Sequence, residues 1–392
     1  MIENVLPKYT RPIAKIDDPI NLPSFWDDAI DSFDEKKYNH TIINILSYMN
    51  PDIYDGIDTS KDEYEIVKMQ GSAELHIKVT KTTFSVKAPF LKITDKANKI
   101  ALLRKVAEVN FSPLRLAQIR LHNDELWFEY QTPKELVQPN KIYDILRNVA
   151  IYADDYDDMF INDYKAEFIK KPAYKELSDT EKEQVWKQIS DIFEDYKNYT
   201  ELFKEKRWDD FMWDNLAINM LKISNMPYVN GELRSDLIKN ISRTFDADLD
   251  FNFRVDKGIN FMKKLMALSK DEIMSNVYHA EQFISLRWRS SEQAVTDRLK
   301  NNLERVQKYE KDESNFNVCY YLQFVFLKLI YDYNLDEVYK IAIYDVLEEV
   351  SGLEPNIAAP KLIEVFYAMQ DGSINKKEEK PKKKGFFSAL FS

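Results

Sequence analysis

The fold of the first half of this chain is decided by a stretch that reads LHIKVTKTTFSVKAPF over residues 75–90. Apolar and polar residues alternate on both sides of a polar link, and the apolar set is Leu75, Ile77, Val79, Phe84, Val86 and Ala88. A period of two places every second side chain on the same face of a strand. The stretch therefore predicts two adjacent strands with one buried face and one wetter face.

Helical and strand-like patterns surround this pair. A helix is expected to begin at Ser24, a second ends before Pro51, and a weaker strand covers residues 63–70. Downstream, residues 99–110 form a predicted helix whose inward residues are Ile100, Leu103 and Ala107. A hairpin turning at residues 122–125 and a long helix from Pro139 follow.

These elements predict an α+β domain over residues 24–170, with an antiparallel sheet and the order helix, three strands, helix, two strands, helix. Residues 1–23 contain four prolines and are expected to form an irregular N-terminal arm. The element order, together with FSVKAPF at residues 84–90 and NFSPL at residues 110–114, resembles the type III secretion chaperone-like fold of Tir-type chaperones and YbjN-like proteins. The resemblance implies a bacterial, non-enzymatic, commonly dimeric protein that holds extended segments of clients.

Residues 177–372 show helical periodicity nearly throughout. Ser178 and Glu181 have the spacing of a capping box at the start of this region. The run from Phe283 through Leu286 to Val295 is included in the helical pattern. An all-α helical bundle is therefore expected after the α+β domain.

The glycines and histidines exclude several kinds of active site. Phosphate-binding loops and the nucleophile elbow need glycines within a few positions, yet the closest two of the seven are Gly372 and Gly385. The four histidines are scattered and lack a partner at zinc-ligand spacing. We therefore expect no cofactor, no metal and no enzymatic activity.

The net charge of −11 argues against a nucleic-acid partner, because phosphate affinity comes from clustered Lys and Arg. Positive charge is expected to be concentrated only at the C-terminus. The lone cysteine, Cys319, cannot form an internal disulfide and is expected to be buried. No signal peptide and no membrane-spanning stretch are recognised, so a cytoplasmic location is expected.

Three charged clusters are candidates for binding sites. Two of them have two interpretations each, and the third is excluded as a calcium site. The four aspartates at positions 154, 155, 157 and 158 form a solvated helix face or a site for a cation or basic partner, and the first is favoured. Residues 287–289 (Arg-Trp-Arg) are ordinary surface residues or a grip for an anion, and again the first is favoured. Residues 246–257 cannot form a calcium loop, because Phe251 and Lys257 replace the required glycine and glutamate.

The last segment, residues 373–392, combines a lysine-rich linker with an apolar tip. Its candidate partner-binding residues are Lys382, Lys383, Lys384, Phe386, Phe387, Leu390 and Phe391. In a helix, the four apolar residues of this set lie on one face. The tip then has three candidate destinations, which are a groove on a protein partner, an anionic membrane surface, and the body of the chain itself.

Together, the sequence predicts a cytoplasmic chaperone-like adaptor or scaffold that binds protein partners and uses its tail as a docking peptide. A homodimer is one expected form. The alternative is a peripheral membrane protein that the basic and aromatic tail anchors to an anionic surface.

Overall fold

A computed structural model describes residues 5–13, 23–54, 57–58, 61–172 and 174–374. Two compact units share these residues, and both are discontinuous in sequence. The sheet unit lies within residues 12–189 and 226–288, and the helical unit comprises the described parts of residues 1–11, 190–225 and 289–392. The predicted boundary between residues 170 and 177 falls inside the sheet unit.

The sheet unit contains the predicted antiparallel sheet, and the fold class is confirmed. Its strands run in the order β1-β2-β3-β5-β4, with β6 paired to β3. The strands are β1 (Tyr64–Gln70), β2 (Ala73–Val79), β3 (Thr83–Lys92), β4 (Gln118–His122), β5 (Glu125–Pro133) and β6 (Glu167–Phe168). The helices are α1 (Pro23–Asp34), α2 (Tyr38–Met49), α3 (Lys99–Phe111), α4 (Pro139–Tyr164), the first part of α5 (Asp179–Lys206), α7 (Gly231–Phe245), α8 (Phe251–Met266) and α9 (Lys270–Met274).

The alternating stretch forms β2 and β3, as predicted. Ile77 lies opposite Val86, and Val79 lies opposite Phe84. All four side chains are fully buried, because helix α4 packs across β1, β2, β3 and β5. Cross-strand apolar pairs covered by a helix supply the hydrophobic free energy that holds this layer together.

The segment that follows α9 departs from the predicted helical pattern. Val277 bridges to Val229, His279 bridges to Lys175, and Gln282 bridges to Gln70. Phe283 and Ile284 are buried in the hydrophobic core of the sheet unit. The prediction of a helix through Phe283 is therefore wrong. These long-range backbone bridges satisfy the segment's polar groups and outweigh its local helical periodicity.

The helical unit contains the C-terminal part of α5 and the helices that follow the sheet unit. They are α6 (Asp210–Ser224), α10 (Glu292–Lys311), α11 (Asn315–Asp332), α12 (Glu337–Glu349) and α13 (Pro355–Gln370), with the short strand β8 (Tyr333–Asn334). In the two-residue strand β7 (Trp288–Arg289), Trp288 is the last residue of the sheet unit and Arg289 belongs to the helical unit. Helix α11 packs against α6, α10, α12 and α13. Its Cys319 is fully buried as expected, and burial raises the pKa of the thiol to about 12.

The described N-terminal residues are tied into the helical unit although they form no helix or strand. The backbone N–H of Leu6 donates to the carbonyl of Leu353 at 2.8 Å. The hydroxyl of Tyr199 donates to the carbonyl of Val5 at 2.7 Å. Since Leu6 is only 1% exposed, this arm is part of the packed unit.

Candidate functional site

The seven candidate residues of the tail lie outside the residues that the structure describes. Their predicted role in binding therefore stays a prediction. Among the described residues, helix α3 presents the candidate site, and its orientation differs from the predicted one.

Helix α3 carries apolar residues on two opposite faces. The side chains of Leu102, Val106 and Val109 are buried in the core. On the opposite face, Ile100 is 69% exposed and Phe111 is 90% exposed. The prediction that Ile100, Leu103 and Ala107 point inward is wrong for Ile100 and Ala107, which are both exposed, while Leu103 is half-buried.

The exposed side chains of α3 form a continuous stripe. Ile100, Arg104, Ala107 and Phe111 are spaced by three or four residues, so they stand above one another on one helix face. We call this set the α3 surface. Its apolar members have no apolar cover from the described part of the chain, as their exposure shows. It is an apolar stripe interrupted by one cation.

The ends of α3 are fixed by specific side chains. The Asn98 side chain accepts a hydrogen bond from the backbone of Ala101 at 3.3 Å and caps the first turn. Near the other end, the Asn110 amide donates to the carbonyl of Ile119 at 2.9 Å and accepts from its N–H at 2.7 Å. This pair of hydrogen bonds joins α3 to strand β4, so the α3 surface is presented by a rigid support.

The α3 surface lies in a basic stretch of an acidic protein. From Lys99 at the start of α3 to His122 at the end of β4, the chain has five basic residues, counting Lys and Arg only, and one acidic residue. The expectation that positive charge is concentrated only at the C-terminus is therefore wrong. The overall charge of −11 conceals this stretch, whereas a local count of charged residues reveals it.

The four clustered aspartates of α4 are not a solvated face, contrary to the favoured interpretation. Asp157 is only 3% exposed. Asp154 accepts a 2.7 Å hydrogen bond from the N–H of Ser72, and Arg234 lies 3.4 Å from Asp154 and 3.8 Å from Asp155. The cluster therefore links α4 to the β1–β2 turn and to α7.

Burial raises the pKa values of Asp155 and Asp157. It raises the pKa of Asp155 to about 6, against the lowering effect of the Arg234 guanidinium, and neighbouring Asp154 raises it further. Burial also raises the pKa of Asp157 well above its ordinary value. Within the described ranges, no cluster of three or more His, Cys, Asp or Glu residues is arranged to hold a metal ion.

The Arg-Trp-Arg motif contributes a cation–π contact in the sheet unit. The Arg147 guanidinium lies 4.4 Å from the centre of the Trp288 ring. It also donates to the carbonyls of Ser285 at 2.8 Å and Leu286 at 3.1 Å. Trp288 therefore packs on an arginine that holds the preceding segment in place.

Among the helices of the described residues, none combines the length and the apolar character that crossing a membrane requires. The sequence matches no protein-family model and no curated protein.

Proposed function

We propose that this chain is a non-catalytic, chaperone-like adaptor that binds protein partners through the α3 surface and through its C-terminal tail. The observation that carries the proposal is the exposure of Phe111 and Ile100, at 90% and 69%, on one face of a rigidly held helix. Exposed apolar side chains that form a contiguous stripe are typical of interaction surfaces.

Fully burying a Phe or Ile side chain gains roughly 1.5–3 kcal/mol. Burial of Ile100 and Phe111 by a partner would therefore contribute several kcal/mol to binding. Phe111 contributes nothing comparable to the fold, because it makes almost no buried contact. An exposed Phe lowers solubility, and a role of Phe111 in binding a partner explains why it is exposed.

The tail supplies a second contact by the sequence argument given above. Burial of Phe386, Phe387, Leu390 and Phe391 on one helix face would gain roughly 5–10 kcal/mol before the cost of ordering the segment. Lys382, Lys383 and Lys384 stand immediately before this tip. An amphipathic segment of this kind binds a hydrophobic groove on a partner.

The resemblance to secretion chaperones agrees with this proposal. The sheet unit has the predicted order of strands and helices, and its exposed helix follows the third strand. We therefore propose a cytoplasmic protein that holds client segments. A homodimer is part of the same proposal and is measured by light scattering of the purified chain.

The test compares the partners of matched variants. Affinity-tagged wild type, the double variant Ile100→Ser/Phe111→Ser, and a chain ending at residue 379 are purified from the source cells, and copurifying proteins are quantified. Ile357→Ser is the control, because this residue is 50% exposed in the helical unit. The double variant and the shortened chain should each lose specific copurifying partners that the control retains. An identical set of partners in all four samples would refute the proposal.

A second candidate function is that of a peripheral membrane protein, because the tail is both basic and aromatic. Flotation with anionic and with neutral phospholipid vesicles separates the two functions. Flotation that needs anionic lipid and residues 380–392 would favour the peripheral membrane protein. Absence of flotation, together with partner loss on tail deletion, supports the adaptor.

A further inference from the structure

We infer that the partner segment at the α3 surface is an acidic amphipathic helix, with apolar residues on one face and Asp or Glu along its flanks. This inference rests on the proposed function and adds the chemistry of the partner. It is carried by the charges of the stretch from Lys99 to His122, which contains the stripe, and by the spacing of the stripe itself.

The stretch from Lys99 to His122 carries more basic than acidic side chains. Lys105 is paired with Glu108 at 2.7 Å. By contrast, Lys99, Arg104 and Arg115 have no ion-pair partner among the described residues, and all three side chains are exposed. A stretch with five basic residues and one acidic residue, within a chain of net charge −11, attracts an acidic segment at short range.

The stripe has the dimensions of a helix–helix contact. Ile100 and Phe111 are eleven positions apart in one helix, which corresponds to about 16 Å at 1.5 Å per residue. Ala107 lies between them, and its small side chain permits close approach of a second helix. A partner with apolar residues at positions i, i+4, i+7 and i+11 covers this length with about three turns.

The charge pattern disfavours two other occupants. A second copy would bring an equally basic α3 surface against the first, with like charges opposed. The tail of this chain is also basic, with three consecutive lysines before its apolar tip. Neither provides the carboxylates that Lys99, Arg104 and Arg115 can pair with.

The experiment uses a designed, fluorescein-labelled helical peptide of about 18 residues, with leucines on one face and glutamates on both flanks. Two control peptides carry lysine in place of each glutamate, or serine in place of each leucine. Binding to the full chain is measured by fluorescence anisotropy. We expect the acidic peptide to bind at least about tenfold more tightly than either control, and to weaken as salt is raised.

Variants of the chain assign the binding to the α3 surface. Phe111→Ser and Arg104→Glu should each weaken the acidic peptide about tenfold or more, whereas Ile357→Ser should leave its affinity unchanged. Equal binding of the lysine peptide, or an unchanged affinity in Arg104→Glu, would overturn the inference.

Two further probes cover the other classes of macromolecule. Phosphatidylglycerol vesicles or a DNA duplex that bind the wild type, and fail to bind Phe111→Ser, would overturn the inference in favour of a membrane or a nucleic acid. If the acidic peptide does not bind at all, the partner chemistry is wrong. The proposed function then still stands or falls separately, by the loss of copurifying partners from Ile100→Ser/Phe111→Ser.

Discussion

The ammonium group of Lys222 donates a 2.8 Å hydrogen bond to the backbone carbonyl of Lys8 from inside the helical unit. The Lys222 side chain is almost completely buried. Burial lowers its pKa to about 8, and the nearby Asp195 carboxylate opposes this effect. Asp195 in turn accepts a 2.7 Å hydrogen bond from the N–H of Lys8, so one buried and one half-buried charged group hold one residue of the arm.

We predict that the stabilising effect of Lys222 depends on pH. Its pKa is about 8 in the folded state against 10.5 for an ordinary lysine, so the unfolded chain binds more protons between these values. The free energy of unfolding contributed by Lys222 therefore increases as pH rises through this range. The difference between wild type and Lys222→Met should grow in favour of wild type by about 1–3 kcal/mol from pH 7 to pH 10.

Urea unfolding at several pH values measures this difference. Lys300→Met, on the exposed side of α10, is the matched control, and its difference from wild type should stay constant. A pH-independent difference for Lys222→Met would show that the buried amine is not titrating as described.

Asp155 gives a prediction of opposite sign. Its pKa is about 6 in the folded state against 3.8 for an ordinary aspartate, so the folded chain binds more protons between these values. The contribution of Asp155 to stability is therefore lost as pH rises through about 6. The difference in free energy of unfolding between Asp155→Asn and wild type should therefore shift in favour of the variant by about 1–3 kcal/mol from pH 4 to pH 7.5.

Thermal and urea unfolding at these two pH values test the effect of Asp155. The control is Asp163→Asn, because Asp163 is exposed near the end of the same helix. If both variants respond to pH in the same way, burial of Asp155 is not the cause.

The two faces of α3 predict contrasting effects on stability. Phe111→Ser should change the free energy of unfolding by less than about 0.5 kcal/mol, because the side chain is exposed. Leu102→Ala should lower it by about 2–5 kcal/mol, because it leaves a cavity in the core. Urea denaturation of both variants is the measurement, and a large loss for Phe111→Ser would contradict the orientation of the helix.

Gly71 and Asp154 are predicted to be coupled. Gly71 has a φ of +55°, and a Cβ at this position would lie 2.0 Å from Oδ1 of Asp154. Gly71→Ala should therefore cost about 1–2 kcal/mol for the backbone conformation and more for displacing the carboxylate. In a double-mutant cycle with Asp154→Ala, the cost of Gly71→Ala should fall by about 1 kcal/mol, and strict additivity would refute the contact.

The elements fixed by local chemistry were predictable. The alternation that predicts β2 and β3 is dictated by one buried face, and both strands form. The capping box at Ser178 is also confirmed, because Glu181 accepts from the N–H of Ser178 at 2.9 Å and its own N–H donates to the Ser178 hydroxyl. Such signals need only residues that are neighbours in sequence.

The wrong predictions concern features that depend on residues distant in sequence. Helix α3 has apolar residues at helical spacing on both faces, so periodicity alone cannot decide which face is buried. The segment containing Phe283 is not helical, because it forms backbone bridges with residues 70, 175 and 229. Likewise, the aspartates of α4 are buried by a β-turn some 80 residues earlier, since Ser72 and Asp154 are separated by 82 positions.

The attachment of the arm has a consequence for synthesis on the ribosome. The N–H of Tyr9 bonds to the hydroxyl of Ser351, which lies 342 positions later. Tyr9 must therefore wait until the segment around Ser351 has been translated before it can dock. During that interval, Leu6 and Tyr9 are exposed on the nascent chain, where chaperones and proteases can reach them.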